Sequence, residues 1–277
     1  MLKTLWLFIV KIWDILIFIP IINLLYIILA FNPHLGIAII ILTVLIRTLL
    51  LPTSYHQLWV AKLNAKFQKK LSSIKKKHVR KKVQKELYKK HKFNPLSGIG
   101  VLILSFPIMI ALYKVLPIVS TSQSALSAFD PYLYSATKTF VHSTLHLSPS
   151  QIQTVFHGIN LAELPTKALI IMLAITAGIQ TLLNILFMNS QTYEEVLKTT
   201  KTQFKIPNAT ENDYKLIAKT MYYSKFFNAI TNAILMAWIF QKLPAIFAFY
   251  MISMNIYNII TLPILNYIIE KRLPEVK

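Results

Sequence analysis

Long apolar stretches alternate with basic or polar connections along most of the chain. Beyond residue 34, each apolar stretch approaches the roughly 20 residues that a helix needs to cross a bilayer. The stretches cover residues 35–53, 97–117, 167–188, 221–241 and 244–268. This pattern predicts an all-α integral membrane protein with a five-helix transmembrane core, whose four later spans lie within residues 96–268. The short "QKLP" between the last two spans predicts a tight helical hairpin.

Residues 1–34 allow two interpretations, an N-terminal anchor or an interfacial amphipathic helix. Residues 1–19 resemble a signal or anchor segment, but Lys11 and Asp14 interrupt the apolar run. These two charges stand at positions i and i+3 and could pair on one helical face, which suits an interfacial helix as well as a membrane span. The sequence leaves open whether residues 1–19 span the membrane, are cleaved or lie at its surface.

The connection formed by residues 54–95 is strongly basic, with Glu86 as its only acidic residue. Apolar residues at a spacing of four to five, such as Leu58, Leu63 and Phe67, predict a helical hairpin. Its lysines either only fix the topology and solvate a helix face, or also dock anionic lipid head groups or ribosomal RNA. The candidate dock comprises Lys69, Lys70, Lys75, Lys76, Lys77, Arg80, Lys81 and Lys82.

The distribution of lysine and arginine among the connections predicts one topology. By the positive-inside rule, the basic hairpin is cytoplasmic. Residues 118–166 then form an outer loop, and residues 189–220 form an inner loop that is again rich in lysine. The basic tail of residues 269–277 is also cytoplasmic, so the first core span runs from outside to inside.

The amino-acid composition supports a membrane protein and limits the chemical classes of its partners. With 55% hydrophobic residues, the chain is far more apolar than a soluble domain of 277 residues could bury. Lysine and arginine total 30 against 10 acidic residues, which gives a formal net charge of +20. Partners are therefore expected to be anionic, as lipid head groups, RNA or acidic polypeptides are. The chain contains no cysteine, which excludes disulfides and thiolate metal sites.

Arg47 is the unusual residue of the first core span, because a charge within a membrane-length segment costs on the order of 2.5 to 3.5 kcal/mol. Arg47 either snorkels to the inner interface or faces a water-filled recess that opens to the cytoplasm. Polar residues of the spans could line such a recess, although intramembrane amides often serve only as hydrogen bonds between helices. The candidate lining residues are Thr43, Ser105, Thr176, Gln180, Asn184, Asn228, Asn232, Asn255 and Asn258.

Enzyme chemistry finds little support in the sequence, and we expect no catalytic residue, no metal and no cofactor. His142 and His146 have the i, i+4 spacing of metal ligands, but no cysteine accompanies them and the nearest acidic residues are remote. Gly-rich phosphate-binding loops are also missing from the sequence, so we expect no ATPase.

Three motifs in one order resemble the YidC/Oxa/Alb family of membrane protein insertases. "LGIAIIILTVLIRTLLLP" resembles the first core span of the family, and its arginine corresponds to Arg47. "ELYKKHKFNPLSGIGVLILSFPIMIALYKVL" resembles the end of the cytoplasmic hairpin and the second span, and "LPAIFAFYMISMNIYNIITLPI" resembles the last span. The matching positions are Asn94, Pro95, Gly98, Pro107, Tyr113, Pro244 and Tyr250.

The resemblance implies a function and a location. Members of this family insert and help to fold nascent membrane proteins, through a hydrophilic groove that holds the arginine and is open to the cytoplasm and to lipid. The implied partners are nascent membrane proteins, the lipid bilayer, the ribosome and the Sec translocon, without specific DNA binding. The implied location is the bacterial inner membrane, as a multi-pass protein without the large outer domain of some members.

The resemblance also implies an outer-face amphipathic helix at "FIPIINLLYIILAF", and it has one departure. Where the family usually has Cys, Pro and Gln in the second span, this chain has Ile99, Val101 and Ser105. The polar lining from that helix is therefore expected to be weaker.

Two other functions remain open on the sequence. A membrane anchor would tether ribosomes or anionic lipid through the basic hairpin, with Arg47 as a bystander. A transporter of a small anion would use Arg47 as the counter-charge, but it predicts repeats that relate two halves of the chain, and the sequence has none.

Overall fold

The computed structural model describes residue 11 and residues 13–72, 77–90, 110–115, 126–144, 152–188, 192–203 and 210–273. These residues are mostly helical, as predicted. Several predicted features lie outside them, namely residues 1–10, Lys75, Lys76, Asn94, Pro95, Gly98, Ile99, Val101, Ser105, Pro107 and His146. The helices are α1 (Asp14–Phe31, with a π-helical first turn), α2 (Leu35–Leu49), α3 (Leu51–Ser72), α4 (Lys77–Lys90), α5 (Ser135–Thr139), α6 (Lys167–Met188), α7 (Tyr193–Gln203), α8 (Glu211–Phe240) and α9 (Ala245–Arg272).

Three helices of the described residues are long and apolar enough to cross a membrane: Asp14–Phe31, Lys167–Phe187 and Ala245–Arg272. A fourth candidate arises if Leu35–Leu49 and Leu51–Phe67 together form one broken span. The fold is thus that of a helical membrane protein, and the exact five-helix core stays a prediction. Helix α8, which contains most of the predicted span 221–241, is not among these candidates. It begins at Glu211, well before residue 221, and polar residues such as Asn228 and Asn232 lower its hydropathy.

A short β-hairpin interrupts the helical pattern in the predicted outer loop, and the apolar pattern of the sequence does not predict it. Val155–Phe156 pairs antiparallel with Ile159–Asn160. His157 and Gly158, with φ of 47° and 78°, form the connecting turn. Two consecutive positive φ values give a turn whose twist matches that of paired strands.

The chain divides into two compact units. Unit 1 comprises Met1–Leu49, Leu102–Ala174 and Met236–Asn255, and unit 2 comprises Leu50–Val101, Ile175–Leu235 and Ile256–Lys277. In unit 1, α1 is apolar on nearly every side, and Ile22, Leu25 and Leu29 are completely buried. A helix that is apolar all round is typically enclosed by its neighbours, and α1 packs against α2 in one core.

Helix α1 contacts the described part of the predicted outer loop between Phe18 and Tyr26. The Phe18 ring packs edge-on against Tyr132, with ring centroids 5.5 Å apart, and Tyr26 lies 6.2 Å from Phe129. Between them, the Nδ2 group of the buried Asn23 donates to the Tyr132 carbonyl at 3.0 Å. The Asn23 Oδ1 atom accepts from the Tyr134 amide at 2.9 Å. These contacts hold residues 126–144 on α1, and we call them the outer-loop segment after the predicted topology.

A second segment of the predicted outer loop, residues 152–163, accepts hydrogen bonds from the first amide groups of two helices. The Leu35 amide at the start of α2 donates to the Gln153 carbonyl, and the Ala245 amide at the start of α9 donates to the Glu163 carbonyl. Amides at a helix start have no partner within their own helix, so these bonds remove the cost of burying unpaired N–H groups. Gly36 allows the close approach, because a Cβ there would lie 2.5 Å from the Phe156 ring.

In unit 2, the long helix α3 buries the apolar face that the sequence predicts. Leu58, Leu63 and Phe67 are all buried. Leu58 packs with residues near the end of α9 in a second apolar cluster, whose buried members are Leu58, Leu262, Leu265 and Ile269. The first helix of the basic segment is therefore joined to the last helix of the chain by apolar packing.

Candidate functional site

Arg47 lies on the buried face of α2. Ile39, Thr43 and Arg47 follow one another at the four-residue spacing that aligns side chains on one helical face, and all three are buried. Only 4% of Arg47 is exposed, whereas Val44, Leu45 and Leu49 on the other side of the helix are exposed. The guanidinium is therefore enclosed by protein and does not extend along the exposed apolar side.

Two uncharged side chains of α9 lie beside this guanidinium. Its Nη2 group contacts the Met254 sulfur, and the hydroxyl of the buried Tyr250 lies within the range of its charge. Tyr250 and Met254 are one helical turn apart, so they present one continuous surface to Arg47. A thioether sulfur and a phenol oxygen are weak acceptors that can solvate a guanidinium.

The other candidate lining residues are divided between the two units. Thr43 and Asn255 belong to unit 1 with Arg47, and both are buried; the Thr43 hydroxyl donates to the Ile39 carbonyl at 2.7 Å. Asn232, in unit 2, donates to the Thr181 hydroxyl at 2.7 Å and so joins α8 to α6. This bond is the helix-to-helix use of an amide that the sequence analysis set against a groove role. The remaining candidates in unit 2 are Thr176, Gln180, Asn184, Asn228 and Asn258.

Three of the motif positions fall in the described residues, all in unit 1. Tyr113 is 66% exposed and stacks on Phe247, with ring centroids 6.3 Å apart. Pro244 immediately precedes α9, and Tyr250 is enclosed next to Arg47. The motif near the end of the chain thus places two aromatic rings on one face of α9.

An ion pair that the sequence analysis missed joins α1 to the helical residues 110–115. Lys114 pairs with Asp14, and its ammonium also lies 4.6 Å from the centre of the Phe18 ring. The two charged side chains are 35% and 34% exposed. The i, i+3 spacing suggests Lys11 as the partner of Asp14. A lysine inside the predicted span 97–117 is a signal of its own, because intramembrane charges mark functional or paired positions.

A second ion pair lies at the predicted cytoplasmic side. The Lys62 ammonium on α3 donates to the Glu270 carboxylate on α9 at 2.7 Å, and the Asn266 amide donates to the same oxygen at 3.3 Å. Only 9% of Lys62 is exposed. The pair lies beside the apolar cluster of Leu58 and Ile269, and both interactions fasten α3 to the end of α9.

We predict that Glu270→Gln lowers the free energy of unfolding by about 1 to 3 kcal/mol, because the buried Lys62 cation loses its counter-charge. The loss stays below that of a fully buried pair, since the Glu270 side chain is 61% exposed and water screens the interaction. Thermal unfolding of the purified protein in detergent measures the change. Glu211→Gln is the matched control, because Glu211 pairs with Lys201 at an exposed position. Equal losses of stability in both variants would contradict the prediction.

The first turn of α8 carries two exposed carboxylates whose pKa values are lowered. A hydrogen bond from Lys201 and the charges of Lys201 and Lys215 lower the pKa of Glu211. Hydrogen bonds from the Thr210 side chain and backbone lower the pKa of Asp213. A lowered folded-state pKa means that these contacts stabilise the folded protein above the ordinary carboxyl pKa, and that they are lost as the pH falls through the lowered value.

These features define a helical membrane protein with a cationic polar site enclosed between its apolar helices. A family model described as "60Kd inner membrane protein" matches residues 26–272. The chain therefore belongs to this family, which is the YidC/Oxa family that its motifs resemble.

Relatives of the chain carry the name membrane protein insertase YidC. The protein from Fusobacterium nucleatum subsp. nucleatum is 41% identical over 86 residues, which are 29% of this chain and 42% of the relative. The protein from Oceanobacillus iheyensis is 37% identical over 92 residues, which are 30% of this chain and 36% of the relative. The protein from Magnetococcus marinus is 33% identical over 132 residues, which are 42% of this chain and 24% of the relative. Each match thus spans less than half of the relative's length.

Proposed function

We propose that this protein is a membrane protein insertase and chaperone that inserts and helps to fold nascent membrane proteins without nucleotide hydrolysis. The observation that carries the proposal is the buried Arg47 on α2, beside Tyr250 and Met254. A charged side chain enclosed within a membrane-length helix is costly to bury, so its presence is better explained by a use than by packing.

In this proposal, Arg47 receives the short hydrophilic end of a client. Moving polar groups into an apolar environment without hydrogen bonds costs several kcal/mol, and a polar groove lowers that cost. The Arg47 charge attracts acidic client ends, since the attraction between opposite charges is stronger at low dielectric than in water. The apolar segment of the client meanwhile enters lipid, and the burial of its surface, at about 25 cal/mol per Å², drives the step.

The groove in this proposal opens to the cytoplasm. Thr43 and Asn255 are its proposed lining residues, and both belong to unit 1 with Arg47. Its orientation follows from the basic connections, which the positive-inside rule assigns to the cytoplasm together with the C-terminus.

We further propose that α1 lies along the outer face of the membrane. Its residues Phe18, Asn23 and Tyr26 all contact the segment of residues 126–144, which the predicted topology assigns to the outside. A helix that crossed the bilayer would meet an outer loop at one end only. The contacts along α1 therefore favour the interfacial interpretation over a membrane span.

The basic segment of residues 54–95 serves, in this proposal, as the cytoplasmic dock. The Lys62–Glu270 pair and the apolar cluster around Leu58 hold the start of this segment, while lysines further along it, such as Lys82, remain exposed. Anionic lipid, the ribosome and the Sec translocon are the proposed partners. The same charge concentration favours the alternative function, a membrane anchor that tethers ribosomes or anionic lipid.

Reconstitution tests the proposed function. Liposomes with the purified protein and empty liposomes receive a labelled single-span client with a short acidic outer end, in the absence of nucleotide. Protease protection then scores insertion. The insertase proposal predicts clearly more protected client with the protein than without it. Equal protection in both liposomes, together with salt-sensitive ribosome or vesicle binding by the protein, would reject the insertase in favour of the tether.

A further inference from the structure

The ion pair of Lys114 with Asp14 is built differently from the Arg47 site. Both of its side chains are about one-third exposed, whereas Arg47 is almost fully enclosed. The Lys114 ammonium has three donors, and the structure gives two of its neighbours, the Asp14 carboxylate and the face of the Phe18 ring. A partly exposed ammonium on a flexible stem can exchange one carboxylate partner for another with little rearrangement of the backbone.

Helix α9 relates this lysine to Arg47. Phe247, Tyr250 and Met254 lie on one face of α9, because they are spaced by three and four residues. Phe247 stacks on Tyr113, the neighbour of Lys114, while Tyr250 and Met254 lie beside Arg47. At about 1.5 Å per residue, the Tyr113 contact is roughly 5 to 10 Å further toward the start of α9 than the Arg47 contacts. Under the predicted topology, the start of α9 is its outer end.

We infer that Lys114 is a second cationic binding position for clients, which takes over an acidic residue of the client's outer end after Arg47. This inference rests on the proposed insertase function. Asp14 is then the resident carboxylate that occupies Lys114 between clients and neutralises it. A client carboxylate displaces Asp14 from the ammonium, and the pair with Asp14 forms again when the client leaves.

Two cationic positions that are occupied one after the other suit the passage of an acidic client end. A single enclosed arginine would hold a carboxylate where water is scarce. Breaking this pair in one step would leave the two charges poorly solvated, which is costly. A second cation at a more exposed position offers the carboxylate a partner before it leaves the first one. The energy of each intermediate position is thereby lowered, while the weaker, partly screened attraction at Lys114 permits release.

The test compares two matched clients in the same reconstituted liposomes. One client carries aspartates in its short outer end and the other carries asparagines at the same positions. The measured quantity is the ratio of protease-protected acidic client to protected neutral client. Lys114→Gln is expected to lower this ratio about three- to tenfold, which is the size expected for the loss of one partly screened charge contact. Asp14→Asn is expected to raise the ratio, because it removes the competing carboxylate.

Lys138→Gln is the matched control, since Lys138 lies in the same predicted outer loop and pairs with Asp130 at 3.3 Å in an exposed position. It should leave the ratio unchanged. A purely structural ion pair would make Lys114→Gln and Asp14→Asn reduce both clients alike, and an unchanged ratio in both variants would overturn the inference. If Lys114→Gln fails to fold, the ratio for Asp14→Asn decides alone. A wild-type protein that inserts neither client better than empty liposomes would instead reject the proposed function itself.

Discussion

Insertion of an acidic-ended client is expected to fall about tenfold or more when Arg47 is replaced by alanine, which corresponds to at least about 1.4 kcal/mol of lost stabilisation along the insertion path. The alanine removes the cation that attracts the client end, and it leaves an apolar surface where the polar end must enter. Protease protection in reconstituted liposomes measures the effect, with the amount of correctly folded protein in the membrane held equal.

Arg47→Lys separates charge from geometry. If the charge is what matters, lysine should retain most of the activity, because the proposed site does not need the bidentate geometry of a guanidinium. Arg272→Ala provides the matched control, since Arg272 is an exposed arginine at the end of α9. Equal insertion by wild type, Arg47→Ala and Arg47→Lys would remove the central residue from the proposed mechanism.

The apolar pattern predicts helices well where they are long and uninterrupted. The predicted span 167–188 coincides with α6 (Lys167–Met188), and the predicted span 244–268 lies almost entirely within α9, which continues to Arg272. The spacing of Leu58, Leu63 and Phe67 also predicts the buried face of α3 correctly. In each case the signal is local, because one helix face repeats every three to four residues.

Interactions between distant parts of the chain are not contained in that local signal. The Asp14–Lys114 pair and the bonds from Asn23 to Tyr132 and Tyr134 each join residues about one hundred positions apart. Periodicity identifies which face of a helix is apolar, but it does not identify which segment covers that face. An aspartate and an asparagine in an apolar run therefore signal only that polar partners exist, and the fold decides which ones.

Helix α1 is a second case in which the local pattern does not predict the surroundings of a helix. The family resemblance implies an amphipathic helix at residues 20–31, yet Ile22, Leu25 and Leu29 are buried and the helix is apolar on nearly all sides. Within residues 20–31, the polar side-chain contacts given for this helix come from Asn23 and Tyr26, two side chains within an apolar surface. For this helix, an apolar composition does not distinguish a membrane span from a helix covered by an outer loop.

Asn23 provides the second large expected effect, because one buried side chain holds the outer-loop segment of residues 126–144 on α1. Its amide donates to the Tyr132 carbonyl at 3.0 Å and accepts from the Tyr134 amide at 2.9 Å. Asn23→Leu keeps the number and branching of the side-chain heavy atoms and removes both bonds, so it should lower the free energy of unfolding by about 2 to 4 kcal/mol. Thermal unfolding in detergent measures this loss.

The same variant should also release the outer-loop segment before the protein unfolds as a whole. Protease added to the outer side of vesicles is therefore expected to cut within residues 126–144 much faster in Asn23→Leu than in wild type. Asn212→Leu, the same change at an exposed position, should alter neither the unfolding nor the cleavage. If Asn23→Leu and Asn212→Leu behave alike in both assays, the attachment of this segment does not depend on Asn23, and the ring contacts of Phe18 and Tyr26 must hold it instead.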